Sequence, residues 1–355
     1  MDNNTLCPCV ADALFGNIPT ILIFTIIALV LASGCVASTP SSTPSSPIST
    51  YTTTASPSPT ISTPCSTATV KYSPTQSTTP HTQSGIMTVH FIDVGQGDSE
   101  LIQTPSGKTM LIDAGPADSS KTVRQYLRDQ GISTIDIVLA THPHEDHIGE
   151  MSTVLNEFAV EQFIDSGTPD TTSTYEHMLN VIDKKNIPFK ISTTGDTIDL
   201  DPAISIQVLS PSMLVSDDYN LNSIVLKITY GKISYLFTGD GGEPVEEQYA
   251  PMAGHIDILK VPHHGSCTSS YTQFLSIIHP EVSVISVGAY NSYGHPCAET
   301  ISRLEQAGSK VYRTDLDGTI VITSDGNTYS VSSGQTTSAN TGVNIGEQQP
   351  SVEVL

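Results

Sequence analysis

The sequence predicts an α/β domain in which sheet strands are covered by helices, and two observations carry that class. Between about Ile86 and Asp325, short runs rich in Ile, Val, Leu and Thr alternate with longer runs of helical apolar spacing, the order that a helix-covered sheet requires. Several of the strand-like runs end directly in a cluster of His and Asp, and a strand feeding a tight loop fixes side-chain directions at little entropic cost.

In chain order, strands are expected at Thr88 to Val94, Glu100 to Gln103, Thr109 to Ile112 and Ile135 to Ala140. Further strands are expected at Ile204 to Leu209, Ser223 to Tyr230, Ile233 to Thr238, Ile256 to Lys260, Val282 to Val287 and Thr319 to Thr323. Helices are expected at Lys121 to Asp129, Ile148 to Phe158, Tyr175 to Lys185, Tyr271 to Ile278 and Glu299 to Ala307. Pro105-Ser-Gly-Lys108 and Tyr230-Gly-Lys232 mark hairpins, because glycine takes the turn conformations other residues resist. No Ser/Thr/Pro-rich interruption falls within this span, which therefore reads as one domain of about 240 residues, long enough to close a core.

The most informative stretch is Thr141-His-Pro-His-Glu-Asp-His147, with three histidines and an aspartate in six positions. Imidazole and carboxylate are the ligands that hold Zn²⁺ and similar ions. A lone histidine in such a loop would be a solvated side chain. Two more signals, Thr238-Gly-Asp240 and Pro262-His-His-Gly-Ser266, each follow an apolar run, and three chance coincidences of that kind are improbable.

With these motifs in view, the chain resembles the metallo-β-lactamase superfamily, and within it the hydrolase domain of ComEC-like DNA-uptake proteins. The resemblance is carried by Phe91-Ile-Asp-Val-Gly-Gln-Gly-Asp-Ser99, Leu111-Ile-Asp-Ala-Gly115, Thr141 to Gly149, Asn222 to Leu226 and Leu236 to Asp240. Lys260 to Ser266, Ser292-Tyr-Gly-His-Pro296 and Arg313 to Gly318 complete it. It implies a four-layered αβ/βα sandwich, with metals where strand ends from both halves converge. By the same resemblance His142 and His144 would bind a first metal and Asp146 and His147 a second, with Asp240 bridging. One histidine of the 263/264 pair would complete the second site; His263 is favoured because it follows the preceding strand most closely, leaving His264 to face substrate, although the two could be exchanged.

The superfamily usually supplies a third histidine to the first metal, but no histidine occurs between His177 and His255. Either the first site is lean, or Asn220 or Asn222 stands in. Asp113 is implied to orient the ligand loop, Asp98 to hydrogen-bond a ligand, and His295 to donate to a phosphoryl oxygen or leaving group. The implied cofactor is one or two divalent ions, Zn²⁺ ahead of Mn²⁺, and the implied reaction is attack by a metal-activated water on phosphorus or carbonyl carbon, with Asp146 or Asp240 taking the proton. The sub-family favours phosphodiesters, DNA included; a carbonyl hydrolase for lactones or thioesters and a non-catalytic surface module are the alternatives. No protein partner can be inferred.

Charge weighs against tight binding of long nucleic acid. The chain carries a formal −22, and Ile86 to Asp325 holds 32 acidic against 13 basic residues, a balance of −19, whereas phosphate binders usually present basic patches. Two divalent ions at Asp146 and Asp240 would still make the pocket locally positive.

Ahead of the domain, Ile18 to Ala37 is uncharged and apolar, about the length of a membrane span or signal segment. From Ser38 to about Ser84 the chain is almost wholly Ser, Thr and Pro, a composition that cannot bury enough apolar surface to fold. The expected organisation is an anchor or lipoprotein-type signal at 1–37, a stalk at 38–85, the hydrolase domain at 86–332 and a loose tail at 333–355, with the domain outside the cytoplasm and attached to the membrane. Leu31-Ala-Ser-Gly-Cys35 resembles a lipoprotein cleavage box, but Ala32 departs from it and no basic residue precedes Lys71. Lipidation at Cys35 and an uncleaved helix both stay open. Cys267 and Cys297, the only cysteines of the domain, follow two loops expected at the site; an oxidising compartment would bridge them, against inert thiols or a thiolate that borrows the metal.

Overall fold

The computed structural model describes residues 85–117, 123–215 and 218–334, and the anchor, stalk and tail expected from the sequence lie outside them apart from the stalk's last residue and the tail's first two. Among the described residues no helix is long and apolar enough to cross a membrane.

Strands β1 (Met87–Phe91), β2 (Glu100–Gln103), β3 (Thr109–Ile112), β4 (Thr134–Leu139), β5 (Ala159–Asp165) and β6 (Phe189–Ile191) build most of one sheet. Helices α1 (Val123–Asp129), α2 (Glu145–Ile148), α3 (Met151–Glu157) and α4 (Ser173–Lys185) fall between them. The second sheet contains β7 (Ile204–Ser210), β8 (Val225–Tyr230), β9 (Ile233–Phe237), β10 (Ile258–Lys260), β11 (Val282–Ile285) and β12 (Lys310–Arg313). With it go α5 (Glu243–Ala253), α6 (Thr272–Ile278), α7 (Ala298–Gln306) and the short α8 (Thr314–Asp317). The chain then returns to the first sheet through β13 (Ile320–Ser324) and β14 (Tyr329–Ser333), giving the order β14-β13-β1-β2-β3-β4-β5-β6 against β12-β11-β10-β9-β8-β7.

Period-two alternation builds the layers. On β3, Met110 and Ile112 point into the core shared by both sheets while Leu111 points to the helices of the first half. On β8, Leu226, Ile228 and Tyr230 face that same core and Val225 faces the helices of the second. Val154 and Leu155 of α3 and Met178 and Ile182 of α4 cover one outer face, and Tyr249 of α5 and Phe274 and Leu275 of α6 cover the other. The result is the four-layered α/β sandwich implied above.

In both sheets a parallel block, β3 to β6 and β9 to β12, runs with its carboxyl ends in one direction. That edge is where open α/β sheets bind ligands, and every motif residue of the site leaves from it or from the β1–β2 loop beside it.

Candidate metal centre

Asp113 follows β3 in the left-handed region (φ 53°), which Asp tolerates better than most residues. From there its carboxylate accepts the Thr141 N–H at 2.8 Å and the Thr141 hydroxyl at 2.7 Å, and it meets His147 Nδ1 at 2.8 Å. One buried carboxylate thus ties the end of β4 to the ligand loop and turns His147 so that Nε2 faces outward from it. The loop between β1 and β2 closes on the same place. A Cβ on Gly97 would lie 2.2 Å from the Asp146 carbonyl oxygen, so only glycine allows the approach that lets the Asp98 N–H donate to that oxygen at 3.2 Å.

Asp240 lies two residues beyond Thr238, after β9, and its Oδ2 sits amid imidazoles. His147 Nε2 is 3.3 Å away, His264 Nε2 3.5 Å, His263 Nε2 3.8 Å and His142 Nε2 3.9 Å. Asp146 Oδ2 lies 3.3 Å from His264 Nε2, and His144 Nδ1 lies 3.1 Å from His142 Nε2. All of the expected ligands therefore reach one cleft of about 390 Å³, except that His142 and His147 sit behind its wall, fully buried.

The histidine pair is exchanged relative to expectation. His263 and His264 both adopt left-handed backbone (φ 52° and 51°) inside the turn Pro262–Gly265. Nearness to the strand therefore does not decide which ring points inward. His264 is buried and its Nδ1 meets the Ser286 carbonyl oxygen at 2.9 Å; a carbonyl can only accept, so that nitrogen carries the hydrogen and Nε2 is left toward Asp146 and Asp240. His263 stays partly exposed at the rim, beside Asn220 and His295. His264 therefore takes the inward position expected of His263, and His263 the rim position expected of His264.

The two candidates for the missing ligand also separate. Asn222 is fully buried and its amide clamps Val215, donating to the carbonyl and accepting from the N–H, both at 2.8 Å. Its amide is turned to the Val215 loop, and it is not among the residues lining the cleft. Asn220 lines the cleft with its Oδ1 unpartnered.

Electrostatics fit a cation. Among buried atoms without a hydrogen bond are Asp240 Oδ1, His147 Nε2 and His264 Nε2, and leaving such groups unsatisfied is costly. Burial pushes the Asp146 carboxyl up, but His147 and His264 overcome it and hold it down at about 2. Asp240 is held well below the carboxylate range in the same way, burial being outweighed by His264 and His147. Burial alone would discharge His147 and His264, yet Asp240, joined by Asp113 at His147 and by Asp98 at His264, raises both well above the usual histidine range. Burial and the neighbouring His147 keep His142 far below it. The pocket thus demands positive charge, which protons supply without an ion and a divalent ion would supply in their place. Three-residue groups able to hold one include His142, His147 and Asp240, and Asp146, His147 and His264.

Sequence reasoning missed the supporting residues. Lys260, fully buried at the end of β10, pairs with Asp98 and donates to the Gly239 carbonyl at 3.2 Å; burial lowers its pKa, but Asp98, Asp240 and Glu100 keep it charged. Ser223 Oγ accepts the Asp240 N–H at 3.1 Å and sits 3.3 Å from His142 Nδ1. Both residues lay within quoted motifs, and only their burial against Asp98 and Asp240 reveals the role. His295 is at the cleft, its ring 5.6 Å from that of His263. Cys267 and Cys297 form a disulfide with Cα atoms 5.2 Å apart, joining the His263–His264 turn to the His295 loop.

Residues 92–289 match the family model described as the metallo-beta-lactamase superfamily. The chain is 29% identical over 251 residues to "ComE operon protein 3" of Bacillus subtilis, covering 65% of this chain and 32% of that protein. It is 30% identical to "Recombination protein 2" of Haemophilus influenzae (66% and 28% covered) and to "Competence protein ComA" of Neisseria gonorrhoeae (64% and 31%). The alignments thus span about a third of the length of these relatives.

Proposed function

Because the chain belongs to the metallo-β-lactamase superfamily, whose members are generally metal-dependent hydrolases, we propose that it is a metal-dependent phosphodiesterase or nuclease of the ComEC-like type, tethered outside the cytoplasm. The observation that carries the hydrolase reading is the convergence of Asp240 Oδ1, His147 Nε2 and His264 Nε2, all buried and without hydrogen bonds, on one cleft. Relatives named for competence and recombination favour a phosphodiester, DNA included, over a carbonyl substrate.

In this reading His142 and His144 would hold a first ion and Asp146, His147 and His264 a second, with Asp240 available to both. Such ions supply Lewis acidity and an acidified water. Asp113 fixes the His147 ring and the Ser286 carbonyl fixes that of His264, so both Nε2 atoms are aimed before an ion displaces their protons. Asp146, the most exposed acid of the set, takes the proton released on attack. His295 at the cleft wall donates to a phosphoryl oxygen or the leaving group. The expected order of anchor, stalk and enzyme, with either an uncleaved apolar segment at 18–37 or a lipidated Cys35, supports a position for this chemistry at the cell surface.

The test is hydrolysis by the purified chain loaded with Zn²⁺ or Mn²⁺ of bis-p-nitrophenyl phosphate, single-stranded DNA and a lactone panel. Phosphodiester cleavage that disappears with chelator is expected. Turnover of lactones alone would move the chain to the carbonyl hydrolases, and no metal-dependent turnover at all would leave a binding module.

A further inference from the structure

A row of aromatic rings leads from the metal cluster to solvent. His263, 3.8 Å from Asp240 at its Nε2, has its ring 5.6 Å from His295, and the His295 ring is stacked with Tyr293 at 5.8 Å and an interplanar angle of 19°. Tyr293 lines the cleft yet is 67% exposed, and Tyr290 in the same loop is completely exposed. These tyrosines are held in place. The Asn291 amide donates to the carbonyls of Gly288 and His295 and accepts the N–H groups of Tyr293 and His295, and Tyr290 has left-handed backbone (φ 57°), a strained setting for a bulky residue. The disulfide ties the loop's far end down at Cys297. Tyr293, stacked on His295, keeps most of its ring in solvent beside a polar cleft, and Tyr290 keeps all of its own there.

Charge narrows what they could bind. Among the described residues lining the cleft none is Lys or Arg, whereas Glu145, Asp146 and Asp240 are there. Phosphate contacts away from the ions are therefore few, and affinity for a flanking nucleotide has to come from its uncharged part. Stacking on aromatic side chains is a sequence-tolerant way to hold an unpaired base.

Resting on the phosphodiesterase reading above, we infer that Tyr293, continued by Tyr290, is a stacking platform for a nucleobase next to the scissile phosphodiester, so that the site takes single-stranded nucleic acid in preference to a duplex. Bases paired inside a duplex present no free face to such a platform.

The experiment compares a 12-residue oligothymidylate, the same oligomer annealed to its complement, and a 12-residue abasic (tetrahydrofuran) phosphodiester on the metal-loaded chain. Binding is read by fluorescence polarisation and cleavage by kcat/KM. The single strand should exceed the abasic polymer by roughly 5- to 150-fold in both readouts, the range of one stacked base, and should exceed the duplex. Tyr293→Ala should move the ratio of base-bearing to abasic polymer toward one, whatever its effect on absolute rates, and Tyr293→Phe should restore it. A ratio near one in the unaltered chain, no binding of either polymer, or a ratio that Tyr293→Ala and Tyr290→Ala together leave intact would overturn the platform. Preference in binding without cleavage of any polymer would sustain the platform and instead sink the phosphodiesterase reading.

Discussion

Two aspartates beyond the ends of neighbouring strands, Asp146 after β4 and Asp165 closing β5, meet opposite fates. Asp165 is buried and lines the larger of the two clefts, about 700 Å³, beside Tyr175, Leu179 and Phe189. Burial lifts its carboxyl to about 6, and the Gly167 N–H only partly offsets that. Asp146 lines the smaller cleft and is pulled to about 2 despite burial, because His147 and His264 stand beside it. Size and apolar lining do not make the candidate centre here. What separates the two is that buried acids meet buried bases in one and not in the other, which is the arrangement that perturbs pKa values at functional sites.

The most damaging change to the acid–base side should be Asp240→Asn. It keeps the shape but removes the charge amid four imidazoles, so hydrolysis should fall by roughly 10³-fold or more with circular dichroism unchanged. Full activity in this variant would erase the distinction between the clefts.

Next comes the histidine pair. His264→Ala should weaken binding of one ion by about 10²-fold or more, beyond the cost usual for a residue that only supports a ligand, while His263→Ala should alter KM more than ion affinity. Calorimetric titration with Zn²⁺ checks both, and the reverse ranking would restore the strand-proximity argument for His263.

Removing the disulfide acts on the cleft's frame. Cys267→Ser with Cys297→Ser should cost about 2–4 kcal/mol in urea unfolding, and the loss should show as well in hydrolysis, since the bridge joins two loops of the cleft. A variant as stable as the parent would make the bridge incidental.

The smallest effect belongs to the apolar cleft. Asp165 binds its proton more tightly when folded than the ordinary carboxyl value near 3.8, so its contribution to stability is complete below that pH and is lost as pH rises through about 6. Asp165→Asn should remove a pH dependence on the order of 1–3 kcal/mol between pH 4 and 6 and leave hydrolysis unaltered. Thermal melts across that range test it; equal slopes in the two proteins would mean that the Asp165 carboxyl is not destabilised by burial.

How much of this was legible in the sequence varies by element. The strands feeding the site were visible because β3, β4, β8 and β9 are apolar runs bounded by turns. Of the four edge strands among the described residues only β7 was: β6 is three residues with two exposed apolar side chains, β12 is Lys-Val-Tyr-Arg, and β14 carries three serines. β5 has Glu161 and Gln162 in its first half, which hides its alternation. Helix α5 was missed although Val245, Tyr249, Ala250 and Ala253 share its buried face, because Pro251 falls inside it, where a proline ordinarily ends or kinks a helix. Within the site, the motifs and their resemblance to the superfamily were enough to single out residues that the fold brings to one place. The choice between His263 and His264 rests on two positive φ angles, and that between Asn220 and Asn222 on one loop clamp; neither leaves a trace in spacing.

The account stands on the acid–base cluster being a two-ion hydrolytic centre, and a metal titration with turnover followed in the same sample tests it most directly. Metal-depleted protein titrated with Zn²⁺ or Mn²⁺ should take up two ions with unequal affinity, because His142 and His144 offer fewer side chains than Asp146, His147 and His264, and hydrolysis of bis-p-nitrophenyl phosphate should rise with the ions and vanish with chelator. No uptake of ion, or undiminished hydrolysis in the chelated protein, would contradict it.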